Sequence, residues 1–174
     1  MIPCIKPTLP HKLLRGDIMK PTWKQYVLWI ALTETVGGIS ALLSRDGMKL
    51  YEAAVTQPPL APPMWVFPVV WTILYALMAV SAARISTRPV SAATACGQKL
   101  FFTQLMFNFF WSIIFFNLQA YWPAFWWLLL LWIQVLAMIL CYHKEDSTAA
   151  RLQIPYLLWL TFAGYLNFWV ARNN

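Results

Sequence analysis

The chain has 174 residues, a length that suits one domain. Hydrophobic residues make up 60% of it and charged residues 11%, against a usual ~45–50% and ~25% in soluble domains. A soluble fold this small must present much of its surface to water, so the composition excludes an ordinary water-soluble domain and points to a bilayer, where apolar side chains face lipid.

Residues 1–20 read as a polar N-terminal extension, with no apolar core or small-residue cleavage site of a secretory signal. Residues 21–174 read as one membrane domain. A span needs about 20 predominantly apolar residues. The first runs from about Trp23 to Leu43 and is ended by Ser44-Arg45-Asp46-Gly47. A loop from Arg45 to Pro63 follows; its two Pro-Pro pairs predict a stiff, extended segment. The second span runs from about Met64 to Ile85, with Pro68 in its first turns, where a missing N–H costs least. Ser86 to Gly97 reads as a polar loop, and Gln98 to Leu118 as the third span. The link from Gln119 to Trp122 is short enough to make an antiparallel hairpin with the fourth span, about Pro123 to Tyr142. After a loop at His143–Ser147, the fifth span covers about Leu152 to Ala171. The expected fold is an all-α membrane protein, a bundle of five transmembrane helices.

The formal net charge of +7 does not mark a nucleic-acid partner, because the basic residues lie in the tail and between apolar runs. Lys6, Lys12, Arg15, Lys20, Lys24, Arg84, Arg88, Lys99, Lys144 and Arg151 fall on one side of the expected topology; Arg45, Lys49 and Arg172 fall on the other. The positive-inside rule then places the N-terminus in the cytoplasm. Cys4, Cys96 and Cys141 have no metal-type spacing and read as ordinary thiols; His11 and His143 are isolated. The sequence has no Gly-rich phosphate loop, nucleophile elbow, metal signature or internal repeat, so no catalytic residue and no metal site is expected.

Polar residues inside spans carry the most information, since each costs free energy unless paired. Glu34 reads either as a ligand-facing or proton-linked carboxylate, or as a carboxyl held inside the bundle or near its boundary. Gln104, Asn108, Trp111 and Ser112 share one face of the third span, which must point into the bundle. They are either interhelical glue or the polar corner of a pocket. Trp71, Tyr75 and Met78 share a face of the second span, and Pro155, Trp159, Ala163 and Leu166 one of the fifth. Trp71 and Trp159 lie too deep to be simple interface anchors. With small Ala163 nearby they could form a flat apolar slot for a planar aromatic ligand, or pack as aromatic core. Gly37 and Ala41 make a small-xxx-small pattern, with Gly38 beside it, suited to close helix approach within one chain or across a dimer.

Three ordered blocks, together with Gly37-Gly38, resemble the tryptophan-rich sensory protein/translocator protein (TspO/MBR) family, once called peripheral-type benzodiazepine receptors. They are the run from Pro62 through Met64-Trp65-Val66-Phe67-Pro68 to Trp71 and Tyr75; Gln104-Leu105 with Asn108, Trp111, Phe115 and Phe116; and Pro155-Tyr156-Leu157-Leu158-Trp159 with Phe162, Ala163, Leu166 and Asn167. The likeness covers about Trp23 to Asn174. It implies a five-helix bundle, commonly a homodimer, that binds porphyrin or haem and, in some members, sterols or synthetic aromatic ligands. By position it implies cavity roles for Trp71 and Trp159, a third-helix cavity face at Asn108 and Trp111, and fifth-helix ligand contacts at Ala163 and Leu166. It also implies a lid formed by the segment before Met64, which adds Pro62, Pro63 and Phe67 to the ligand-binding set. The sterol motif of animal members is broken here, with Phe168 and Trp169 at its Tyr positions and one residue too many between Tyr165 and Arg172. A bacterial-type tetrapyrrole binder in the cell membrane is therefore expected, with sensing as its role and tetrapyrrole transport, oxidative porphyrin breakdown at Trp71 and Trp159, or a purely structural subunit as the alternatives.

Overall fold

The computed structural model describes residues 20–174, so the polar extension lies outside the described residues except for Lys20. The described residues form six α-helices: α1 (Trp23–Ala54), α2 (Val66–Ser86), α3 (Ala92–Ser112), α4 (Tyr121–Glu145), α5 (Ser147–Leu152) and α6 (Ile154–Asn173). A π-helical turn, Ile113–Asn117, prolongs α3. Among the described residues, five helical stretches are long and apolar enough to cross a membrane: α1, α2, α3 with its π turn, α4, and α5 with α6. No strand occurs among the described residues. Leu28, Leu42, Ile73, Leu130 and Leu158 are all more than half exposed on the outer faces of these helices. Lipid tolerates that surface and water does not. The protein is an all-α, multi-pass membrane protein.

The core lies between α2, α3, α4 and α6. Met78, Phe101, Leu131, Met138 and Tyr156 are fully buried there. Because lipid tails are as apolar as these side chains, close packing and interhelical hydrogen bonds hold the helices together, rather than escape from water.

Three boundaries differ from the sequence expectation, each for a local reason. Ser44-Arg45-Asp46-Gly47 does not end the first helix, which runs to Ala54. At ~1.5 Å per residue its 32 residues reach well beyond a hydrocarbon core of ~30 Å, and exposed Arg45, Asp46, Lys49 and Glu52 occupy the protruding turns. Gly47 is not a stop signal. It is buried, and a Cβ there would stand 2.6 Å from the backbone carbonyl of Phe116. Glycine is what lets the π turn pack against α1. Asn117 Nδ2 donates to the Leu43 carbonyl at 2.8 Å and Ser40 Oγ to the Phe109 carbonyl at 3.0 Å, which fixes the contact.

The polar loop expected at Ser86–Gly97 is shorter than that, because Ser91 and Thr94 cap each other. Ser91 Oγ accepts from Thr94 N at 3.0 Å and Thr94 Oγ1 accepts from Ser91 N at 2.7 Å, so the third helix starts at Ala92 rather than Gln98. The third change is at the expected loop His143–Ser147. Helix α4 continues to Glu145, and Asp146 alone separates it from α5. Between α3 and α4 the link is tight, as expected, with Gln119 at φ 49° making the turn.

Asp146 joins the two halves of the bundle at this end. Its carboxylate caps α5 by accepting from Thr148 N at 2.9 Å and Ala149 N at 3.2 Å. It also accepts from Arg84 at 3.0 and 3.2 Å, and from Arg88. Ser81 Oγ adds a bond to the Ala149 carbonyl at 2.7 Å. Arg84 and Arg88, expected as topology-setting charges, are thus ion-pair partners as well. Burial alone would raise the Asp146 carboxyl pKa. The hydrogen bonds from Arg88, Arg84 and the Ala149 N–H outweigh it and hold the pKa at about 2, below the ordinary 3.8.

Two predictions follow from this framework. G47A forces backbone against backbone and should cost about 1–3 kcal/mol, read as a lower midpoint of thermal unfolding in detergent; G38A, at a glycine with nothing within 4 Å of its would-be Cβ, should leave the midpoint near wild type. For Asp146 the folded pKa lies below the ordinary one, so its contribution is complete above pH ~4 and fades as pH falls toward 2. D146N should therefore lower the midpoint at pH 7, and the gap from wild type should narrow between pH 4 and pH 2.

Candidate ligand-binding site

A cavity of about 490 Å³ lies between the second half of α1, the first half of α2, the end of α3 with its π turn, and α6. Its size falls within the ~300–1,000 Å³ of small-molecule sites. Small residues open the space: Gly37, Gly38 and Ala41 on α1, and Ala163 on α6. Of the small-xxx-small face, Gly37 makes a close approach within the chain. Tyr75 lies so close to Gly37 that any side chain there would collide with its ring, and Thr33 Oγ1 donates to the Tyr75 carbonyl at 3.1 Å.

Aromatic rings form most of the wall, and they brace one another. Phe67 meets Trp159 edge to face, with centroids 5.9 Å apart. Trp71 leans on Tyr75 at 5.5 Å, and Trp111 stacks on Phe115 at 5.1 Å. Such pairs hold ring orientation as well as burying area. Trp111 is further fixed through its Nε1, which donates to Asn167 Oδ1 at 3.2 Å; Asn167 Nδ2 in turn donates to the Tyr121 carbonyl at 2.9 Å.

The polar inventory of the wall is short. Glu34 is the one charged side chain on it, and no ion pair to Glu34 forms among the described residues. Asn108 is 4% exposed, and its Nδ2 has no hydrogen-bond partner among the described residues. The wall thus presents one unpaired carboxylate and the edge of one amide on a largely apolar, aromatic surface.

Of the residues singled out from sequence, Phe67, Trp71, Asn108, Trp111, Trp159, Ala163 and Leu166 all stand on this wall, with Glu34, Tyr75 and Ser112. Pro62 and Pro63, expected in the ligand-binding set as part of a lid, lie in the loop before α2 rather than on the wall. Pro63 is exposed and Pro62 half-buried; they set the path of the loop, and Met64 is the first residue after them to reach the cavity. Gln104 also parts from its neighbours on α3. It is fully buried away from the wall, accepts from the Tyr156 hydroxyl at 3.0 Å and reaches the Met78 sulfur at 3.7 Å. It is interhelical glue, and Met78 is core. Pro155 lies on a separate, shallow outer groove.

The sequence reading missed Met48, Tyr51, Phe115 and Phe116 on the wall. The first two were lost when α1 was cut at Ser44, although the spacing Ala41, Ser44, Met48, Tyr51 carries a helical face past that point. Phe115 and Phe116 are adjacent, and an α-helix would send their side chains ~100° apart. Both stand on the π turn, which interrupts the α-helical repeat, and both reach the cavity; no residue pattern announces the turn.

The fold and the cavity define an integral, multi-pass membrane protein with an aromatic pocket of small-molecule size between its helices. The chain belongs to the TspO/MBR family, whose profile matches residues 29–172. It is 34% identical over 148 residues to the tryptophan-rich protein TspO of Chlorobaculum tepidum, covering 84% of this chain and 94% of that one. It is 34% identical over 158 residues to the tryptophan-rich sensory protein of Cereibacter sphaeroides, covering 90% and 95%. With the translocator protein of Bos taurus it shares 31% identity over 159 residues, covering 90% and 94%.

The Trp111–Asn167 bond gives a prediction for the wall itself. W111F keeps a ring against Phe115 but leaves Asn167 Oδ1 without its donor. The expected cost is about 1 kcal/mol, measured as a lower unfolding midpoint in detergent with helical content unchanged.

Proposed function

We propose that this protein is a receptor-like membrane protein that binds a tetrapyrrole, porphyrin or haem, in the aromatic cavity and serves a regulatory, stress-sensing role. One observation carries the reading: Trp71, Trp159 and Phe67 converge with Ala163 on a cavity of about 490 Å³ that holds a single charged side chain. A planar conjugated ring system gains from stacking and apolar burial against such walls. Its polar edge would be met by the Asn108 amide or by the α1–α2 loop. The printed name of one relative, a sensory protein, supports the regulatory half of the reading. We also take the protein to be a homodimer of the cell membrane with a cytoplasmic N-terminus, on the strength of the family resemblance and the distribution of basic residues. Binding would act by shifting the chain toward whichever arrangement of the α1–α2 loop holds the ligand best.

The name of another relative, translocator protein, keeps transport as the second reading. Directional accumulation of protoporphyrin in vesicles that contain only this protein would favour it over sensing. Loss of the porphyrin's absorbance on turnover, abolished in the W71F/W159F double variant while binding persists, would favour breakdown.

The deciding experiment is a tryptophan-fluorescence titration of the detergent-solubilised protein with protoporphyrin. Saturable quenching with a micromolar or tighter constant is expected, weakened about tenfold (~1.4 kcal/mol) by W71F or W159F. Absence of saturable binding in folded protein overturns the proposal.

A further inference from the structure

Cys96 and Cys141 face each other across the α3–α4 hairpin, at the end remote from its turn. Cys141 Sγ donates to Cys96 Sγ at 3.1 Å, across 45 positions of sequence. The backbone makes this approach possible. Gly97, beside Cys96, lies against the ring of Tyr142, beside Cys141, and a Cβ on Gly97 would stand 3.5 Å from the Cys141 Cβ. Tyr142 is fully buried, so the two helices cannot drift apart here without opening a cavity. Cys96 is exposed and Cys141 partly so. Neither lies on the wall of the ligand cavity. Among the described residues no third His, Cys, Asp or Glu joins them in a metal-holding group, and a closed structural metal site takes four ligands.

We propose that Cys96 and Cys141 form a dithiol–disulfide couple that hydrogen peroxide oxidises within a single chain. The exposed Cys96 sulfur attacks one peroxide oxygen; the O–O bond breaks, the first water leaves, and Cys96 becomes a sulfenic acid. The Cys141 sulfur then attacks the Cys96 sulfur. The S–O bond breaks, and hydroxide leaves with the Cys141 proton as the second water. The two sulfurs together lose two electrons, and the peroxide gains them. A disulfide is ~2.05 Å long, so the sulfurs need close only on the order of 1 Å. A thiol reductant reverses the reaction by exchange. The bond staples the open end of the hairpin whose α3 arm carries Asn108 and Trp111 to the cavity.

The test uses the full chain in detergent, with C4S to remove the remaining thiol of the sequence. After reduction and removal of reductant, the protein is treated with hydrogen peroxide, and thiols are counted by alkylation under denaturing conditions. Both thiols should disappear together, with a loss of two hydrogens in the intact mass and monomer migration on a non-reducing gel. Reductant should restore both. C96S and C141S should each keep the remaining thiol free of any intrachain bond. Three outcomes overturn the proposal: both thiols still alkylatable after peroxide, covalent dimers in place of the intrachain product, or stable sulfinic acid on Cys96 with Cys141 left free.

Discussion

In a hydrocarbon solvent a polar side chain has no partner except another part of the protein. That constraint organises the bundle. Tyr156, Gln104 and Met78 form a chain of polar contacts at its buried centre. Thr33 and Ser40 on α1 place their hydroxyls on backbone carbonyls of α2 and α3, and Trp127 Nε1 reaches the Phe107 carbonyl of α3 at 2.7 Å. Each contact substitutes for water that is not there, and each fixes where one helix sits against another. What remains unsatisfied is then informative. Glu34, which forms no ion pair, and Asn108, whose Nδ2 is buried without a partner among the described residues, both stand on the cavity wall.

The same constraint explains why small residues recur at the helix contacts. Without a hydrophobic drive to push helices together in lipid, attraction depends on how closely the backbones approach. Gly37 receives the Tyr75 ring, Gly47 receives the π turn, and Gly97 receives the Tyr142 ring. Each glycine faces a bulky partner rather than another glycine. Two of them place aromatic residues at positions that matter for the cavity: Tyr75 is on its wall, and the π turn presents Phe115 and Phe116 to it.

The spans and most of the cavity wall were legible in the sequence because both rest on periodicity. An apolar run of about 20 residues is long enough to cross a bilayer, and a 3.6-residue repeat puts Trp71 with Tyr75, or Trp159 with Ala163, on one face. What stayed hidden depends on local exceptions to that repeat. Gly47 within Ser44-Arg45-Asp46-Gly47 has the composition of a helix stop, but it is a contact surface, and charged residues are tolerated once a helix has left the hydrocarbon. The π turn breaks the repeat outright. Gln104 and Asn108 lie on one face and yet take different roles, because Tyr156 reaches the first and the cavity opens beside the second. Sequence places a residue on a face; only packing decides whether a partner fills the space before it.

The two ends of the bundle are built differently, and the difference bears on how a cavity can coexist with a stable fold. At one end Asp146 gathers Arg84, Arg88 and two backbone N–H groups, joining α2 to the α4–α5 corner by charge-assisted bonds. At the other, α1 meets the π turn through Gly47 and Asn117, and Asn174 holds the backbone of Thr56 at the start of the α1–α2 loop at 2.9 Å. Between these ends the walls are held by ring-on-ring packing, and few hydrogen bonds cross the open space. An empty volume forfeits the dispersion contacts that filling it would supply. The ties at both ends offset that deficit and keep the aromatic walls apart, which lets the cavity persist between helices that are otherwise closely packed.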